Sequence, residues 1–426
     1  MVQDLALQRS KYKHISDEEW RWFLQQVEGR ERTADKLPTF AAIDDWWYPV
    51  RLSCEQCSSE ATARYKASLC QRSGLSAERS VSETVCQSAG RSLLDLTGGY
   101  GVDTYFLSEQ FDHTDYVEQN AELCRIAAHN FQRPTPTLPK GKEIHVHNTT
   151  AEEFLKDHLS AISNHLYDLI FLDPARRDSH GGKVFKLADC TPNVVELLPT
   201  LLSRLTPDGR ILLKLSPMID LTQALKELAP SGSPMEGERG WDIHIVAVKN
   251  EVKEVLLMSR YTDVSKYRDL EPTITAIDLS KKEQVFTFTR KEESVSEAVC
   301  QSEGRSVLCQ TQSVYLYEPN AAILKAGAYK LVAQRFGLQK LDINTHLYCS
   351  EELVADFPGR IWKVKEPTPT LPKGKEIKQA NVLVRNYPLT AEQLKKKLHL
   401  RDGGTAYVIG CRVAGKPTVF LAERLQ

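Results

Sequence analysis

An apolar strand that leads directly into a glycine-rich turn, at residues 93–103, limits the folds open to this 426-residue chain. The turn carries Asp95, Gly99 and Gly101, and an amphipathic helix is predicted from about Thr104. Glycine in such a turn lets the backbone approach a ligand that a Cβ would exclude. A dinucleotide-binding turn needs the pattern G-x-G-x-x-G, which is absent here. The segment therefore indicates a nucleoside-binding α/β domain and disfavours a nicotinamide site.

Three further strands are predicted to end in polar residues. Glu118 ends a short strand about 20 residues beyond the first turn, a distance typical of a carboxylate that binds ribose hydroxyls. Asn148 ends a strand of period two, and its amide can both donate to and accept from an adenine edge. Asp173 follows a buried-type strand at residues 167–172. Because ligands of open α/β sheets bind at the carboxyl ends of the strands, these side chains are predicted to share one site.

The segment that begins at Asp173 supplies the candidate catalytic groups. Asp173 itself is the candidate base or orienting hydrogen-bond acceptor. Arg176 and Arg177 carry guanidinium groups that can hold a phosphate or a carboxylate, bidentately in the favourable case. A solvated turn, or a brace for a neighbouring carboxylate, is the alternative interpretation of the two arginines.

Together these segments resemble the class I S-adenosylmethionine-dependent methyltransferases, over about residues 90 to 260. Asp95, Gly99 and Gly101 fit the D-x-x-x-G-x-G frame of the first motif of that family. Glu118 matches the acid after the second strand, and Asp173 with the proline that follows it matches the fourth motif. The resemblance implies a Rossmann-like sheet and S-adenosylmethionine as the cofactor. The cofactor-binding residues that it implies are Asp95, Thr97, Gly99, Gly101, Glu118, Asn148 and Asp173.

Three departures from that family leave the methyl acceptor open. Thr97 stands where many members have glycine, Asn148 where many have aspartate, and Ala175 where amino methyltransferases have a second proline. A carbon-5 pyrimidine mechanism is disfavoured, because Ser216 stands where such enzymes have a cysteine after the fifth strand. The leading hypothesis is methyl transfer to structured RNA, either ribosomal or transfer RNA. The alternatives are a methyltransferase of a small molecule or protein, and a non-catalytic module that binds the cofactor or RNA.

Length and helix signals divide the chain into three parts. A chain of 426 residues exceeds one core of usual size, so two or three domains are expected. Ser16 and Glu19 have capping-box spacing ahead of an apolar helical face, which predicts a helical N-terminal domain over residues 1–79. The methyltransferase domain is assigned to residues 90–262, and a small α+β accessory region to 263–426. The predicted fold class is α/β, with a Rossmann-like methyltransferase sheet between these two parts of the chain.

The segment at residues 360–401 is basic. It has eleven lysines and arginines against three glutamates, a local net charge of +8, whereas the whole chain has a net charge of −1. A basic α+β region beside a methyltransferase domain is similar in layout to THUMP-type accessory domains, which capture RNA. The chain as a whole resembles a bacterial family of predicted methyltransferases, on the Asp173-to-Arg177 loop and the segment from Glu318 to Asn320. RNA is therefore the candidate partner, and a solvated lysine face is the alternative.

The sequence argues against a metal site and a membrane location. The ten cysteines are scattered except for Cys54 and Cys57, which have neither a second pair nor histidines at matching spacing. The N-terminus lacks a basic lead and an apolar run, and no segment approaches the length needed to span a bilayer. We therefore expect no metal, no membrane association and a cytoplasmic location.

Two short segments each occur twice in the chain. Residues 80–92 recur nearly unchanged at 294–306, and residues 134–144 recur identically at 367–377. The sequences between the copies do not match, so the repeats are not duplicated domains. We interpret them as short insertions at surface loops, which tolerate added length at a small entropic cost, and we assign them no catalytic role.

Overall fold

The structure is a computed structural model, and it describes residues 9–71, 90–133, 142–160, 165–176, 186–228, 240–260, 271–280, 282–296, 314–366 and 377–425. The chain divides into two compact units, residues 1–241 with 255–268 and residues 242–254 with 269–426. The three-part division expected from the sequence stays a prediction. The repeated segments lie almost wholly outside the described residues, so their interpretation as loop insertions also stays a prediction.

The first unit begins with helices. A short 3₁₀ helix at Arg9–Tyr12 precedes α1 (Asp17–Thr33), α2 (Pro38–Ala41), α3 (Arg51–Gln56) and α4 (Glu60–Leu69). The predicted capping box is confirmed, because Glu19 N donates to Ser16 Oγ over 3.2 Å and Ser16 N donates to Glu19 Oε2 over 2.9 Å. The box gives partners to N–H groups that the start of α1 would otherwise leave unbonded.

A mostly parallel sheet follows in the same unit. Its strands are β1 (Ser92–Asp95), β2 (His113–Glu118), β3 (Glu143–Asn148), β4 (Tyr167–Leu172), β7 (Leu205–Leu215) and the part of β9 (Glu251–Ser259) from residue 255 onward. They lie in the order β9-β7-β4-β1-β2-β3. Neighbouring strands from β7 to β3 pair in parallel, and β9 runs antiparallel to β7. The predicted Rossmann-like sheet is therefore confirmed.

Helices connect these strands, together with one small strand pair. The helices are α5 (Val102–Ser108), α6 (Ala121–Phe131), α7 (Ala151–Ser160), α8 (Val194–Ser203) and α9 (Leu221–Glu227). After β4, the short strand β5 (Ala175–Arg176) pairs antiparallel with β6 (Cys190–Thr191). A 3₁₀ helix at Leu187–Asp189 precedes β6. The connection from β4 to α8, which begins with Asp173, therefore contains a small strand pair and a 3₁₀ helix.

The N-terminal helices share a hydrophobic core with the helices of the glycine-rich region. Phe40 and Trp46 are buried in one cluster with Tyr105 of α5 and Ile126 of α6. The indole Nε1 of Trp46 also donates to the hydroxyl of Tyr100 over 2.9 Å, so this buried polar atom has a partner. Within the first unit, the helical lead therefore packs directly against the elements that follow β1 and β2.

The second unit contains most of the region predicted to be α+β, together with residues 242–254, which the sequence assigned to the preceding domain. The mixed composition of the C-terminal part is confirmed. Three strands, β8 (Trp241–Val248), β10 (Thr273–Asp278) and β11 (Gln284–Thr289), lie in the order β11-β10-β8. A seven-stranded sheet then has the order β13-β14-β12-β15-β18-β17-β16. Its strands are β12 (Tyr315–Pro319), β13 (Gln339–Asp342), β14 (Thr345–Ser350), β15 (Gly359–Glu366), β16 (Asn381–Arg385), β17 (Ala406–Val413) and β18 (Lys416–Arg424). The helices are α10 (Arg290–Val295), α11 (Ala321–Ala326), α12 (Leu331–Arg335) and α13 (Ala391–Lys397).

Candidate functional site

A cavity of about 420 Å³ opens in the first unit at the carboxyl ends of β1, β2 and β4. Five of the residues predicted to bind the cofactor line it, namely Thr97, Gly99, Gly101, Glu118 and Asp173. The position agrees with the rule that open α/β sheets bind ligands at the carboxyl ends of their strands. The structure therefore brings together most of the site residues that were predicted from strand ends.

The glycine-rich turn has a conformation that side chains would disturb. Gly99 and Gly101 have φ angles of +57° and +84°, and Gly101 is the N-cap of α5. Glycine adopts such angles more readily than residues that carry a Cβ. A Cβ on Gly98 would lie 2.1 Å from the ring of Tyr116, so this glycine is required by packing. At Gly99, by contrast, which lines the cavity, a Cβ would meet only a backbone oxygen at 3.8 Å.

Asp95 lies beneath the turn and does not line the cavity. Its side chain is fully buried and accepts hydrogen bonds from Thr97 N over 2.9 Å and from Thr104 Oγ1 over 2.5 Å. Burial raises the pKa of Asp95 to about 7, although the hydrogen bonds from Thr104 and Thr97 lower it in part. In this structure Asp95 joins the start of the turn to α5, and its predicted contact with the cofactor stays a prediction.

Glu118 and Asn148 occupy different positions relative to the cavity. Glu118 lines it and accepts from Gly99 N over 2.8 Å and from Asn120 N over 2.7 Å. Asn148 does not line the cavity, because its amide nitrogen donates to the carbonyl oxygens of Glu118 and Gln119 over 3.0 and 3.1 Å. The structure therefore places Asn148 as a support for the loop that carries Glu118, and its predicted contact with adenine stays a prediction.

Asp173 is held on the cavity wall from two sides. Its backbone N–H donates to Thr97 Oγ1, as the short separation of 2.6 Å between these atoms shows. Lys214, on β7, places its ammonium nitrogen 2.5 Å from Asp173 Oδ2. Asp173 Oδ1 has no hydrogen-bond partner among the described residues, so this oxygen can accept a hydrogen bond from a ligand. The predicted role of Asp173 in orienting an acceptor fits this geometry and stays a prediction.

Lys214 also belongs to a buried network of charged side chains, which the sequence did not predict. Asp103 lies 3.6 Å from Lys214 through Oδ2 and 3.1 Å from the fully buried Lys66 through Oδ1. Ser58 Oγ donates to Asp103 over 2.7 Å. Burial alone would raise the pKa of Asp103, but the two ammonium groups and the hydroxyl hold it below its ordinary value. Two lysines and two aspartates thus form one chain of charges that ends at the cavity.

The sequence contains a signal for each of the missed lysines. Lys66 lies at helical spacing from Thr62 and Ala63, on the face of α4 that is buried. Lys214 interrupts the apolar run of β7. A charged residue on a buried face needs a partner, because an unpaired charge there costs several kcal/mol, on the order of the desolvation penalty for one ion. Neither signal identifies that partner.

The two arginines predicted to act in catalysis are described only in part. Arg176 belongs to β5, opposite Cys190 of β6, and only its backbone is described. Arg177 lies outside the described residues. Ala175 and Thr191, from the same strand pair, line the cavity. The roles assigned to Arg176 and Arg177 therefore stay predictions.

The N-terminal helices also contribute to the cavity, which the sequence did not indicate. Ser53 and Gln56 of α3, with Cys57 and Ser58 of the connection to α4, line its wall. Burial raises the pKa of the Cys57 thiol, so the thiol is the favoured form.

Within the described ranges, no cluster of histidine, cysteine and acidic side chains is suited to a metal ion. No helix in the same ranges combines the length and hydropathy of a membrane span.

Comparison with solved structures decides the family. A "putative methyltransferase" from Porphyromonas gingivalis W83 is 30% identical to this chain. The match covers 97% of this chain and 92% of that protein's chain, and the two structures superpose with a TM-score of 0.73. This chain belongs to that methyltransferase family. The resemblance stated from the sequence is thereby confirmed.

Two domain models match segments of the second unit of this methyltransferase. A ferredoxin-like domain matches residues 315–358, and a THUMP domain-like model matches residues 359–424. Two other structures are similar over parts of the chain. One is a SAM-dependent methyltransferase from Agrobacterium tumefaciens, at 12% identity, 49% of this chain, 64% of that chain and a TM-score of 0.33. The other is an rRNA methylase from Streptococcus thermophilus. It is 14% identical, covers 41% of this chain and 88% of its own, and has a TM-score of 0.29. A search of curated proteins finds no match.

Proposed function

We propose that the protein transfers a methyl group from S-adenosylmethionine to a nucleophile on structured RNA, either ribosomal or transfer RNA. The observation that carries the proposal is the position of Asp173. It lines a cavity beside the glycine-rich turn, is held there by Thr97 and Lys214, and has one carboxylate oxygen left for a ligand. Such a group can align an attacking atom or accept its proton.

The size of the cavity and the chemistry of its lining support binding of this cofactor. A volume of about 420 Å³ lies in the range of roughly 300–1,000 Å³ that is usual for ligand pockets. Open space beside Gly99 lets a ligand approach the backbone of the turn. Glu118 uses its two oxygens for backbone N–H groups, yet each carboxylate oxygen can accept more than one hydrogen bond. Glu118 can therefore bind ribose hydroxyls while it holds the turn.

The chemistry needs little more than alignment from the protein. Bound S-adenosylmethionine supplies a methyl group that its sulfonium already activates. Asp173 Oδ1 can accept a hydrogen bond from the acceptor and so orient the acceptor's lone pair. Lys214 holds Asp173 Oδ2, which restricts the carboxylate to one orientation. Asp103 and Lys66 hold Lys214 in turn, so the orientation of Asp173 depends on a network that reaches the N-terminal helices.

RNA as the acceptor is supported by the second unit. The THUMP domain-like match covers residues 359–424, which includes the whole basic segment at residues 360–401. On α13, Lys396 and Lys397 are exposed, and Lys363 is exposed on β15. Exposed cations can neutralise phosphates and release the counterions that RNA carries, which supplies affinity without sequence preference. An RNA acceptor would also explain why the same chain carries both a THUMP-like module and the cavity.

The cofactor part of the proposal is tested by ligand stabilisation. A ligand at about 100 times its dissociation constant adds roughly 2.7 kcal/mol to stability. We expect S-adenosylhomocysteine, and not NAD, to raise the melting temperature of the wild type. Glu118→Ala should lose this shift, whereas Glu122→Ala should keep it, because Glu122 pairs with Arg125 on the surface and does not line the cavity. No shift for the wild type would favour a non-catalytic module.

The acceptor part is tested by methyl incorporation and by salt. Labelled methyl groups should enter bulk bacterial RNA, and Asp173→Ala should abolish this while it preserves the stabilisation by S-adenosylhomocysteine. Unchanged incorporation would remove Asp173 from the mechanism. Binding of the wild type to bulk transfer RNA should also weaken steeply with added salt. Cofactor binding without any salt-dependent RNA binding would favour a small-molecule or protein acceptor.

A further inference from the structure

A buried carboxylate in the second unit holds two partly exposed arginines. Glu318, near the end of β12, is 3% exposed. Arg360 Nη1 lies 3.2 Å from Glu318 Oε2, and Arg385 Nε contacts Glu318 Oε1. The side chains of Arg360 and Arg385 keep 30% and 38% of their surface exposed. Glu318 belongs to the segment singled out in the sequence, and the chemistry of the cavity makes no use of it.

The arrangement brings distant strands of one sheet together. Glu318 of β12 lies directly opposite Arg360 of β15. Arg385 ends β16, the edge strand, which is four positions from β12 in the strand order. The fold itself brings the end of β16 to β14, the neighbour of β12, where Asn386 Nδ2 donates to Thr345 Oγ1 over 3.3 Å. The Glu318 carboxylate then joins the two guanidinium groups.

The cluster has an excess of positive charge and unused donors. Two guanidinium groups and one carboxylate leave a net charge of +1, and neither arginine contacts a second carboxylate within the part of the chain that the structure describes. Arg385 Nη1 donates to the carbonyl oxygen of Val384 over 2.8 Å. The remaining N–H groups, on Nη2 of Arg385 and on Nε and Nη2 of Arg360, have no partner among the described residues. One cation would suffice to neutralise Glu318, so stability alone does not account for the second arginine.

From this geometry we infer that Arg360 and Arg385 form a binding site for one phosphate group, preassembled by Glu318, and that its ligand is a phosphodiester of the RNA backbone. Planar guanidinium groups match phosphate oxygens through paired N–H donors. Because Glu318 already orders both side chains, binding would cost little of their conformational entropy. The inference rests on the proposed function, since it assumes that the acceptor is RNA.

The test compares two variants that each remove one positive charge. Arg385→Gln alters the cluster, and Lys253→Gln removes an exposed lysine of β9 that pairs with Glu251 and lies outside the basic segment. Full-length protein is titrated with bulk transfer RNA by fluorescence anisotropy between 50 and 200 mM salt. We expect Arg385→Gln to weaken binding and to reduce the slope of log affinity against log salt by about 0.7 to 1, the change for one lost phosphate contact. Lys253→Gln should change that slope much less.

A second variant separates phosphate binding from a structural role. Arg385→Gln leaves Glu318 with one partner, so it can reduce folding stability. Glu318→Gln combined with Arg385→Gln removes the two charges as a pair, and thermal melting checks that this variant folds. If the folded double variant shows the same reduction in the slope of log affinity against log salt as Arg385→Gln, the result supports the phosphate site. A wild-type slope in that variant, or equal slopes for Arg385→Gln and Lys253→Gln, would overturn the proposed site. If the wild type shows no salt-dependent RNA binding, the RNA part of the proposed function fails as well.

Discussion

The ammonium nitrogen of Lys214 lies 2.5 Å from Oδ2 of Asp173, on the wall of the cavity. The lysine also lies 3.6 Å from Asp103, which pairs with the fully buried Lys66. These contacts connect residues 66, 103, 173 and 214, which come from α4, α5, the end of β4 and β7. The orientation of the candidate catalytic carboxylate therefore depends on groups from three other elements.

Replacing Lys214 should impair methyl transfer more than cofactor binding. Lys214→Met leaves Asp173 Oδ2 without its cation, so the carboxylate can rotate away from a productive orientation. We expect transfer to RNA to fall by at least about tenfold, because small misplacements of reacting groups are costly. Lys214→Arg, which keeps a cation, should retain more activity than Lys214→Met. Equal activity of Lys214→Met and the wild type would show that Asp173 needs no such partner.

Replacing Lys66 should destabilise the first unit. Lys66→Met removes one partner of the buried Asp103 and should cost about 3–5 kcal/mol in the free energy of unfolding, measured with urea. Lys66→Met combined with Asp103→Asn should cost less than the sum of the two single changes, since no charge is then left unpaired there. Arg51→Ala is the matched control, because Arg51 and Glu55 form an exposed pair that water and salt screen, so its loss should change stability little. A loss from Lys66→Met as small as that of the control would contradict this account.

The parts of the site that the sequence predicted depend on local backbone constraints. Gly99 and Gly101 were predictable because a turn between a strand and a helix requires positive φ angles, which glycine adopts easily. Glu118 and Asp173 were predictable because they follow apolar strands that end at the same edge of a sheet. These signals lie within a few consecutive residues, so they do not depend on the tertiary fold.

The parts that the sequence did not predict depend on the direction of side chains and on distant contacts. Asn148 ends its strand as predicted, but its amide bonds to the neighbouring loop and does not reach the cavity. Lys66 and Lys214 are 148 positions apart in the chain, and only the folded structure brings both to Asp103. The contribution of α3 to the cavity wall likewise follows from the shared core, which no local pattern reports.

The raised pKa of Asp95 predicts how stability depends on pH. Because its folded pKa is about 7 and its ordinary value is 3.8, the folded state binds the proton more tightly than the unfolded state between these values. The contribution of Asp95 to stability is therefore fully present below about pH 4 and is lost as the pH rises through 7. Within that window the loss is at most ~1.4 kcal/mol per pH unit.

Asp95→Asn provides the comparison that isolates this group, since an asparagine can still accept from Thr97 N and does not titrate. Urea unfolding from pH 4 to pH 8 should show the wild type losing stability relative to Asp95→Asn as the pH rises. A constant difference between the two proteins over this range would contradict a raised pKa.

Two adjacent glycines should respond differently to a methyl group. Gly98→Ala places a Cβ 2.1 Å from the ring of Tyr116, so we expect a loss of about 1–3 kcal/mol in the free energy of unfolding from overpacking. Gly99→Ala meets no close atom, and its cost of roughly 1–2 kcal/mol comes only from the left-handed backbone at φ +57°. Because Gly99 lines the cavity, Gly99→Ala should also weaken S-adenosylhomocysteine binding, measured by calorimetry. Unchanged affinity in a folded Gly99→Ala protein would mean that the ligand does not approach this turn.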